Sequence, residues 1–178
     1  MIRWIALGVA AVLVVFGVVL AVNHRTETAV PRIVQQHRTV PAFTVTSLDG
    51  KQLSSSALRG KTYVVNFFNS WCIPCQQEEP ALQTFYAEHK NDPDFAMLGV
   101  VRDDEKGAVA SYVRNNKITW PVALDPGGTA SLGFGTTGQP ETYIVRSDGV
   151  AACGTLGPST VTMLDDWLQA VRAGEVCT

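Results

Sequence analysis

The chain has 178 residues, a formal net charge of −2 and 46% hydrophobic residues. This length fits a single domain, and the absence of a basic surplus argues against a nucleic-acid-binding protein. The composition along the chain predicts three parts: a membrane-spanning segment over residues 1–22, a linker over residues 23–40 and a folded domain over residues 41–178.

The N-terminal segment is uniformly apolar. Every residue from Trp4 to Val22 is apolar or glycine. At about 1.5 Å per residue in a helix, this stretch can cross a hydrocarbon core of roughly 30 Å. Small residues around Val19–Ala21 offer a possible cleavage site, so a cleaved signal peptide is the alternative to an anchor. The apolar run is longer than the roughly 7 to 15 residues of a usual signal core, however, which favours an uncleaved anchor.

A polar linker and a β-hairpin follow the anchor. Residues 23–40 hold three Arg, two His and one Pro without a sustained period, which is typical of a linker. Phe43–Leu48 alternates apolar and polar residues before the turn signal Asp49–Gly50, so we expect a hairpin with Lys51–Leu53 as its second strand. Ser54–Leu58 predicts one helical turn.

The central motif of the chain is Trp71-Cys72-Ile73-Pro74-Cys75. It follows Thr62–Phe68, a run of mostly apolar, β-branched and aromatic residues that predicts a strand buried on both faces. Apolar residues then recur at helical spacing over Ile73–His89, so the cysteines lie at a strand-to-helix turn. The unpaired N–H groups and the dipole at a helix start favour a thiolate at Cys72. Cys75 lies on the same helix face, and the pair can therefore cycle between dithiol and disulfide.

Two other interpretations of this cysteine pair are weaker. A zinc or copper site needs more ligands than the pair provides, and no Met-rich or His-rich segment lies near it. A purely structural disulfide between residues this close would constrain little of the unfolded chain. Redox chemistry is the best account, and it requires no metal and no cofactor beyond the Cys72–Cys75 disulfide.

The rest of the chain predicts an α/β fold. A βαβ unit followed by an antiparallel hairpin and a final helix gives a mixed sheet with helices on both faces. Pro80 should kink the long helix, and Tyr63, Trp120 and Trp167 are expected to be packing residues. The predicted elements after the long helix are a strand over Phe95–Val101, a helix over Glu105–Asn115, an extended piece over Trp120–Leu124, a short helix over Thr129–Phe134, a loop over Gly135–Pro140, strands over Glu141–Arg146 and Val150–Thr155, and a last helix capped by Ser159 or Thr160 and stopped by Gly174.

Several separated motifs give this chain a family resemblance. The WCxxC turn, the Gly138–Thr142 loop and the element order resemble the thioredoxin fold. Over about Pro41 to Arg172 the chain is similar, more narrowly, to the membrane-anchored extracytoplasmic thiol-disulfide oxidoreductases of the TlpA/ResA/DsbE type, which implies a thioredoxin fold with an N-terminal β-hairpin extension. Further motifs carry the resemblance: Asp49-Gly50-Lys51, Gly60-Lys61, Asn66-Phe67-Phe68, Glu78 and Pro80.

The resemblance implies a substrate-binding surface around the motif, to which Trp71, Gln139 and Glu141 contribute. Pro140 corresponds to the cis-proline that faces the active site, whereas an unaided X-Pro bond is cis in only about 5 to 6% of cases. A cis bond there would present the carbonyl of Gln139 beside the sulfurs, where a client strand can pair. Trp71 is expected to cover the sulfurs, although core packing would explain it almost as well.

The resemblance also implies acidic residues that handle protons. Thioredoxins proper have an Asp where this chain has Asn66, so another residue must supply the buried base. Glu78 and Glu141 are the candidates, tuning the thiol pKa values and accepting the proton of Cys75. The alternative for Glu78 is a solvated glutamate stabilised by the helix dipole, and for Glu79 that interpretation is the better one.

The hypothesis that follows is thiol-disulfide exchange with client proteins. The Cys72 thiolate attacks a client disulfide, and Cys75 resolves the mixed disulfide. The resemblance implies that the client is the haem-binding CxxCH of an apocytochrome c and that electrons arrive through a membrane thiol carrier. A disulfide oxidase for exported proteins, or a metal-carrying dithiol protein of another class, remains the alternative.

The location of the domain follows from redox chemistry rather than from charge. Arg3 precedes the apolar segment, whereas Arg25, Arg32 and Arg38 follow it, so the basic residues do not settle its orientation. Disulfide exchange and two further cysteines suit an oxidising compartment, which places the domain on the extracytoplasmic side of the membrane. Those two cysteines, Cys153 and Cys177, are either free or joined in a structural disulfide.

Overall fold

The computed structural model of the chain describes residues 2–23, 31–33, 37–175 and 177. The helices are α1 (Ile2–Asn23), α2 (Ile73–His89), α3 (Lys106–Asn115), α4 (Thr129–Phe134) and α5 (Val161–Ala173), with a 3₁₀ turn over Ser55–Leu58. The strands are β1 (Arg32–Ile33), β2 (Arg38–Thr39), β3 (Thr44–Ser47), β4 (Gln52–Ser54), β5 (Thr62–Phe67), β6 (Phe95–Val101), β7 (Val122–Leu124), β8 (Glu141–Val145) and β9 (Val150–Leu156).

These strands form one mixed sheet with β5 near its centre. The order across the sheet is β1-β9-β8-β5-β6-β7-β3-β4, and β2 also pairs with β9. Strand β5 pairs in parallel with β6 and antiparallel with β8. All its residues are buried, as the apolar run in the sequence predicts. The mixed sheet and the predicted N-terminal hairpin, β3 with β4, are confirmed.

The two faces of the sheet carry different helices. Val64 of β5 belongs to an apolar cluster with residues of α2, α3 and α5 and with both cysteines of the central motif. Its neighbours Tyr63 and Val65 belong to a second cluster with α4 and the N-terminal hairpin. Successive residues of a strand point to opposite faces, so these clusters lie on opposite sides of the sheet. Below, they are called the cysteine face and the α4 face.

The segment before the domain differs from the prediction. Within the predicted linker, Arg32–Ile33 and Arg38–Thr39 form short strands against β9, and Val40 is buried. The outer edge of β9 offers unpaired backbone groups, and pairing with them satisfies both chains. Edge strands tolerate exposed Arg and Thr side chains, which explains why the composition predicted no strand. Residues 24–30 and 34–36 of this linker lie outside the described residues.

Helix α1 covers the stretch predicted as an anchor. Within the described part of the chain, no helix combines the length and the apolar character needed to cross a membrane. The side chains of residues 1–3, 5, 6 and 20–23 lie outside the described part. The anchor stays a prediction.

A disulfide joins the segment after α5 to the sheet. Cys177, which follows α5, forms a disulfide with Cys153 of β9, with their Cα atoms 5.8 Å apart. Both cysteines are buried on the cysteine face. Tyr63, Trp120 and Trp167 are also buried, which agrees with their expected packing roles.

Candidate active site

The cysteine pair lies at the start of α2, after the loop that follows β5. Cys72 is the N-cap of α2, and the backbone N–H of Cys75 donates a hydrogen bond to its Sγ over 3.2 Å. The two residues form a disulfide with Cα atoms 5.2 Å apart. Cys72 is 5% exposed and Cys75 is 2% exposed, so both residues are buried and Cys72 is slightly the more exposed. In the reduced state the same N–H and the helix dipole would stabilise a thiolate at Cys72.

The loop before the cysteines is fixed by the segment that follows β6. The side-chain amide of Asn69 and the indole N–H of Trp71 both donate to the carbonyl of Asp103, over 3.1 and 3.3 Å. The backbone N–H of Ser70 donates to Oδ2 of Asp104 over 2.6 Å. Sequence reasoning missed these aspartates. The signal was available, because β5 and β6 are adjacent parallel strands whose carboxyl ends lie at one edge of the sheet.

Trp71 lies at the surface. Its side chain is 63% exposed, and its indole N–H donates to the carbonyl of Asp103. That Trp71 covers the sulfurs stays a prediction. Ile73, between the cysteines, is 67% exposed. These two side chains form an exposed apolar rim beside a buried disulfide, and core packing does not explain either of them.

Glu78 is a buried acid on the cysteine side of α2. It is 2% exposed, its Oε1 accepts from the side-chain amide of Asn66 over 2.6 Å, and its Oε2 accepts from the backbone N–H of Ser159 over 2.8 Å. Burial raises the pKa of Glu78 to about 7, and the Ser159 and Asn66 donors oppose this shift. A group with this pKa can both accept and release a proton near neutral pH.

Asn66 connects three elements at this point. Its side-chain amide donates to Glu78 and also, over 2.9 Å, to Oγ1 of Thr142 on β8. The amide of Asn66 does not titrate, so Glu78 is the ionisable group in this network. Ser159 was expected only as a possible helix cap. Thr160 is the cap, with Oγ1 accepting from the N–H of Met163, and the N–H of Ser159 binds the acid instead.

Glu79 is not the solvated side chain that the sequence predicted. It is 5% exposed, its Oε1 accepts from Gln83 over 3.1 Å, and burial raises its pKa to about 7. Gln83 also donates to the carbonyl of Asn116, just beyond α3. The prediction was wrong because α3 packs over this side of α2, a long-range contact that helical spacing does not reveal.

The peptide bond between Gln139 and Pro140 is cis. It lies next to the end of β5, because Phe67 pairs with Glu141, the first residue of β8. The carbonyl of Pro140 accepts from the N–H of Gly157 over 2.8 Å. Beside this turn is a cavity of about 230 Å³ lined by Phe67, Val100, Arg102, Asp103, Ser131, Thr136, Thr137, Gly138 and Gln139.

Glu141 lies on the other side of the sheet. Its carboxylate is 1% exposed and accepts from the backbone N–H groups of Thr137 and Gly138 and from the hydroxyl of Tyr143. Tyr143 belongs to the α4 face. The structure therefore joins Glu78 to Asn66, places Glu78 three residues after Cys75 on α2 and the cis-proline turn next to the end of β5, and puts Glu141 on the face opposite the cysteines.

His89 is not part of this site. It ends α2, at the opposite end from the cysteines, and its Nε2 lies 2.8 Å from Oδ1 of Asp165 on α5. Glu88, His89 and Asp165 offer possible metal-ligand atoms within 4.8 Å of one another. Exposed acidic groups often cluster in this way, and the pairing of α2 with α5 explains the contact of His89 with Asp165.

Comparisons with known proteins agree with this geometry. Residues 37–152 match the AhpC/TSA family. The thiol-disulfide oxidoreductase ResA of a Bacillus cereus strain is 30% identical over 132 residues, covering 74% of this chain and 75% of that protein. The thiol:disulfide interchange protein CycY of Rhizobium leguminosarum bv. viciae is 32% identical over 117 residues, covering 65% and 61% respectively.

A solved structure shows the same fold. The crystal structure of a thiol:disulfide interchange protein of the thioredoxin family from Chlorobium tepidum TLS has a TM-score of 0.68 and 26% identity, covering 78% of this chain and 98% of that one. A buried CxxC disulfide at a helix start, a buried acid further along that helix and a cis-proline next to the end of β5 accompany these similarities. The chain belongs to the AhpC/TSA family and, within it, to the ResA-type thiol-disulfide oxidoreductases.

Proposed function

We propose that this protein reduces disulfides of client proteins outside the cytoplasm, with apocytochrome c as a client during cytochrome c maturation. The observation that carries the proposal is that one helix holds both Cys72, whose Sγ accepts the N–H of Cys75 at the helix start, and the buried acid Glu78. The resemblance to ResA-type proteins supports the client. Electrons would come from a membrane thiol carrier, and no cofactor beyond the Cys72–Cys75 disulfide would be needed.

The exchange runs in two steps. The Cys72 thiolate attacks one sulfur of the client disulfide, the client S–S bond breaks, and the other client sulfur leaves as a thiolate. Glu78 then takes the proton of Cys75, whose thiolate attacks Sγ of Cys72. This step releases the second client thiolate and leaves the Cys72–Cys75 disulfide, so two electrons pass from the protein to the client.

The buried acid supports the reducing direction. A carboxylate held in an apolar environment close to Cys75 disfavours a second negative charge on the dithiol. Destabilising the dithiol makes the pair give up its electrons more readily, because the disulfide form is favoured. The exposed apolar side chains of Trp71 and Ile73 offer a contact surface for a client segment.

We also propose where the protein acts. The apolar stretch of residues 1–22 would hold it to the cell membrane, with the domain on the extracytoplasmic side. Two disulfides in one small domain suit an oxidising compartment.

Equilibration of the full chain with glutathione at pH 7 tests the direction of the reaction. We expect the Cys72–Cys75 couple to be more reducing than the glutathione couple, so that it stays oxidised until reduced glutathione is in large excess. Trapping free thiols by alkylation and separating the forms by mass gives the midpoint. A couple as oxidising as that of a disulfide oxidase, about 100 mV above glutathione, would contradict the reductase proposal.

A further inference from the structure

The carboxylate of Glu141 organises the loop before the cis-proline. It accepts from the backbone N–H and the hydroxyl of Thr137, over 2.6 and 3.0 Å, and from the N–H of Gly138 over 2.8 Å. Its other oxygen accepts from the hydroxyl of Tyr143. A side chain that is 1% exposed thus binds two consecutive loop residues that come shortly before Pro140. Three donors from these two residues converge on one buried oxygen, so the loop is held at a defined position.

The sheet separates this carboxylate from the sulfurs. Along β8, Thr142 binds Asn66 and Ile144 packs on the cysteine face, whereas Tyr143 and Val145 pack on the α4 face. Glu141 shares the side of Tyr143 and Val145, because alternate residues of a strand point the same way. Its influence on the active site must therefore pass through the loop that it holds.

The loop over residues 137–139 forms a surface that a client segment would contact. Thr137, Gly138 and Gln139 line the 230 Å³ cavity, together with Arg102 and Asp103. Pro140 has no N–H, so an extended client strand would pair with the backbone of Gln139. The position of this backbone depends on the two residues that Glu141 holds.

We propose that Glu141 is a positioning residue that sets the affinity for client segments by fixing residues 137–139 from the α4 face. The inference rests on the proposed reduction of client disulfides. It differs from the expectation that Glu141 tunes the thiol pKa values, since its effect depends on hydrogen-bonding shape rather than on charge. Glutamine has the same shape: its oxygen can accept from the loop, and its amide can donate to Tyr143.

Kinetics of the full chain with two probes test this inference. The probes are a synthetic peptide with an internal disulfide and the small disulfide cystamine, which needs no docking strand. For Glu141→Ala we expect the KM for the peptide to rise about tenfold, while kcat and the rate with cystamine stay within about twofold of wild type. Glu141→Gln should restore the KM to within about threefold of wild type.

Three results would overturn the inference. These are an unchanged peptide KM in Glu141→Ala, an equal rise in Glu141→Gln, and an equal slowing with cystamine, which would mean direct action on the thiols. Thr137→Val removes the hydroxyl that donates to Glu141 and provides a second test if Glu141→Ala does not fold. A rise of about threefold in peptide KM is expected there, and no rise would contradict the inference.

A destabilised control separates positioning from general loss of stability. Val145→Ala removes buried atoms from the same strand and face, at the end that pairs with Tyr63 rather than at the loop. It should lower the melting temperature without changing the peptide KM, and a KM rise like that of Glu141→Ala would overturn the inference. If wild type reduced neither probe, the proposed function itself would fail, which is a different outcome from these.

Discussion

Replacing Cys72 with serine should abolish disulfide exchange, and replacing Cys75 with alanine should leave the protein covalently attached to its clients. Cys72 caps α2, its Sγ accepts from the N–H of Cys75, and it is the more exposed residue of the pair, so we expect it to be the attacking group. Removal of the nucleophile should slow exchange by at least about a thousandfold. Cys75→Ala keeps the first step but lacks the thiol that resolves the mixed disulfide.

The measurement is a non-reducing gel of protein recovered from cells, followed by mass spectrometry of the attached clients. A variant with Cys153→Ser and Cys177→Ser is the matched control, because it removes the second disulfide and keeps the Cys72–Cys75 pair, and it should exchange at the wild-type rate. Apocytochrome c among the trapped clients would support the proposed role, and a broad set of exported proteins would favour the oxidase alternative. Exchange that survives in Cys72→Ser would contradict the assignment of the nucleophile.

Glu78→Gln should remove the pH dependence of the resolving step near neutrality. Burial raises the pKa of Glu78 to about 7, so in wild type the carboxylate that accepts the proton of Cys75 forms as the pH rises through that value. The rate of client release should therefore increase up to about pH 7 and then level off. The amide accepts no proton, and we expect release to be about a hundredfold slower at pH 7. Single-turnover release of the client thiol, followed from pH 5 to pH 9, gives the profile.

Glu79→Gln is the matched control for this experiment. Glu79 is the next residue of α2, is also buried, and also has its pKa raised to about 7, but it binds Gln83 rather than Asn66 and Ser159. For Glu79→Gln, the rate of client release should still rise with pH and level off near pH 7, as in wild type. If Glu78→Gln kept the inflection and Glu79→Gln lost it, the proton acceptor would be Glu79, and the assignment of Glu78 would be wrong.

The raised pKa of Glu78 also has a consequence for stability. A carboxyl whose pKa is higher in the folded state than in the unfolded chain binds protons more tightly when folded. Its contribution to the free energy of unfolding is therefore largest at low pH and falls as the pH rises from 4.5 through about 7. The acid is thus held at a cost to folding, as expected for a residue kept for chemistry.

The elements around the motif could be predicted because their signals are local. The buried run before the motif, the cysteine at the start of α2 and the glycine stop of α5 at Gly174, where φ is 77°, each depend on a few neighbouring residues. The cis bond at Pro140 came from the family resemblance, since no rule for a short stretch of sequence implies it.

The remaining features depend on contacts between distant parts of the chain. Glu79 is buried because α3 packs over α2, and the loop at Ser70 is held by Asp104, which is 34 residues away in sequence. The face of the sheet to which the Glu141 side chain points could not be predicted, for another reason. Strand β8 is buried on both faces, so its apolar pattern does not show which face holds Glu141.

The proposed disulfide exchange depends most on Cys72 being an acidic thiol at the start of α2. The most direct test is the pH dependence of iodoacetamide alkylation of the reduced full chain, with modification at each cysteine followed by mass spectrometry. We expect the Cys72 thiol to titrate well below the value of about 8.5 for an ordinary cysteine, and Cys75 to titrate above Cys72. If both thiols titrated near the ordinary value, the helix start would confer no activation and the account would be contradicted.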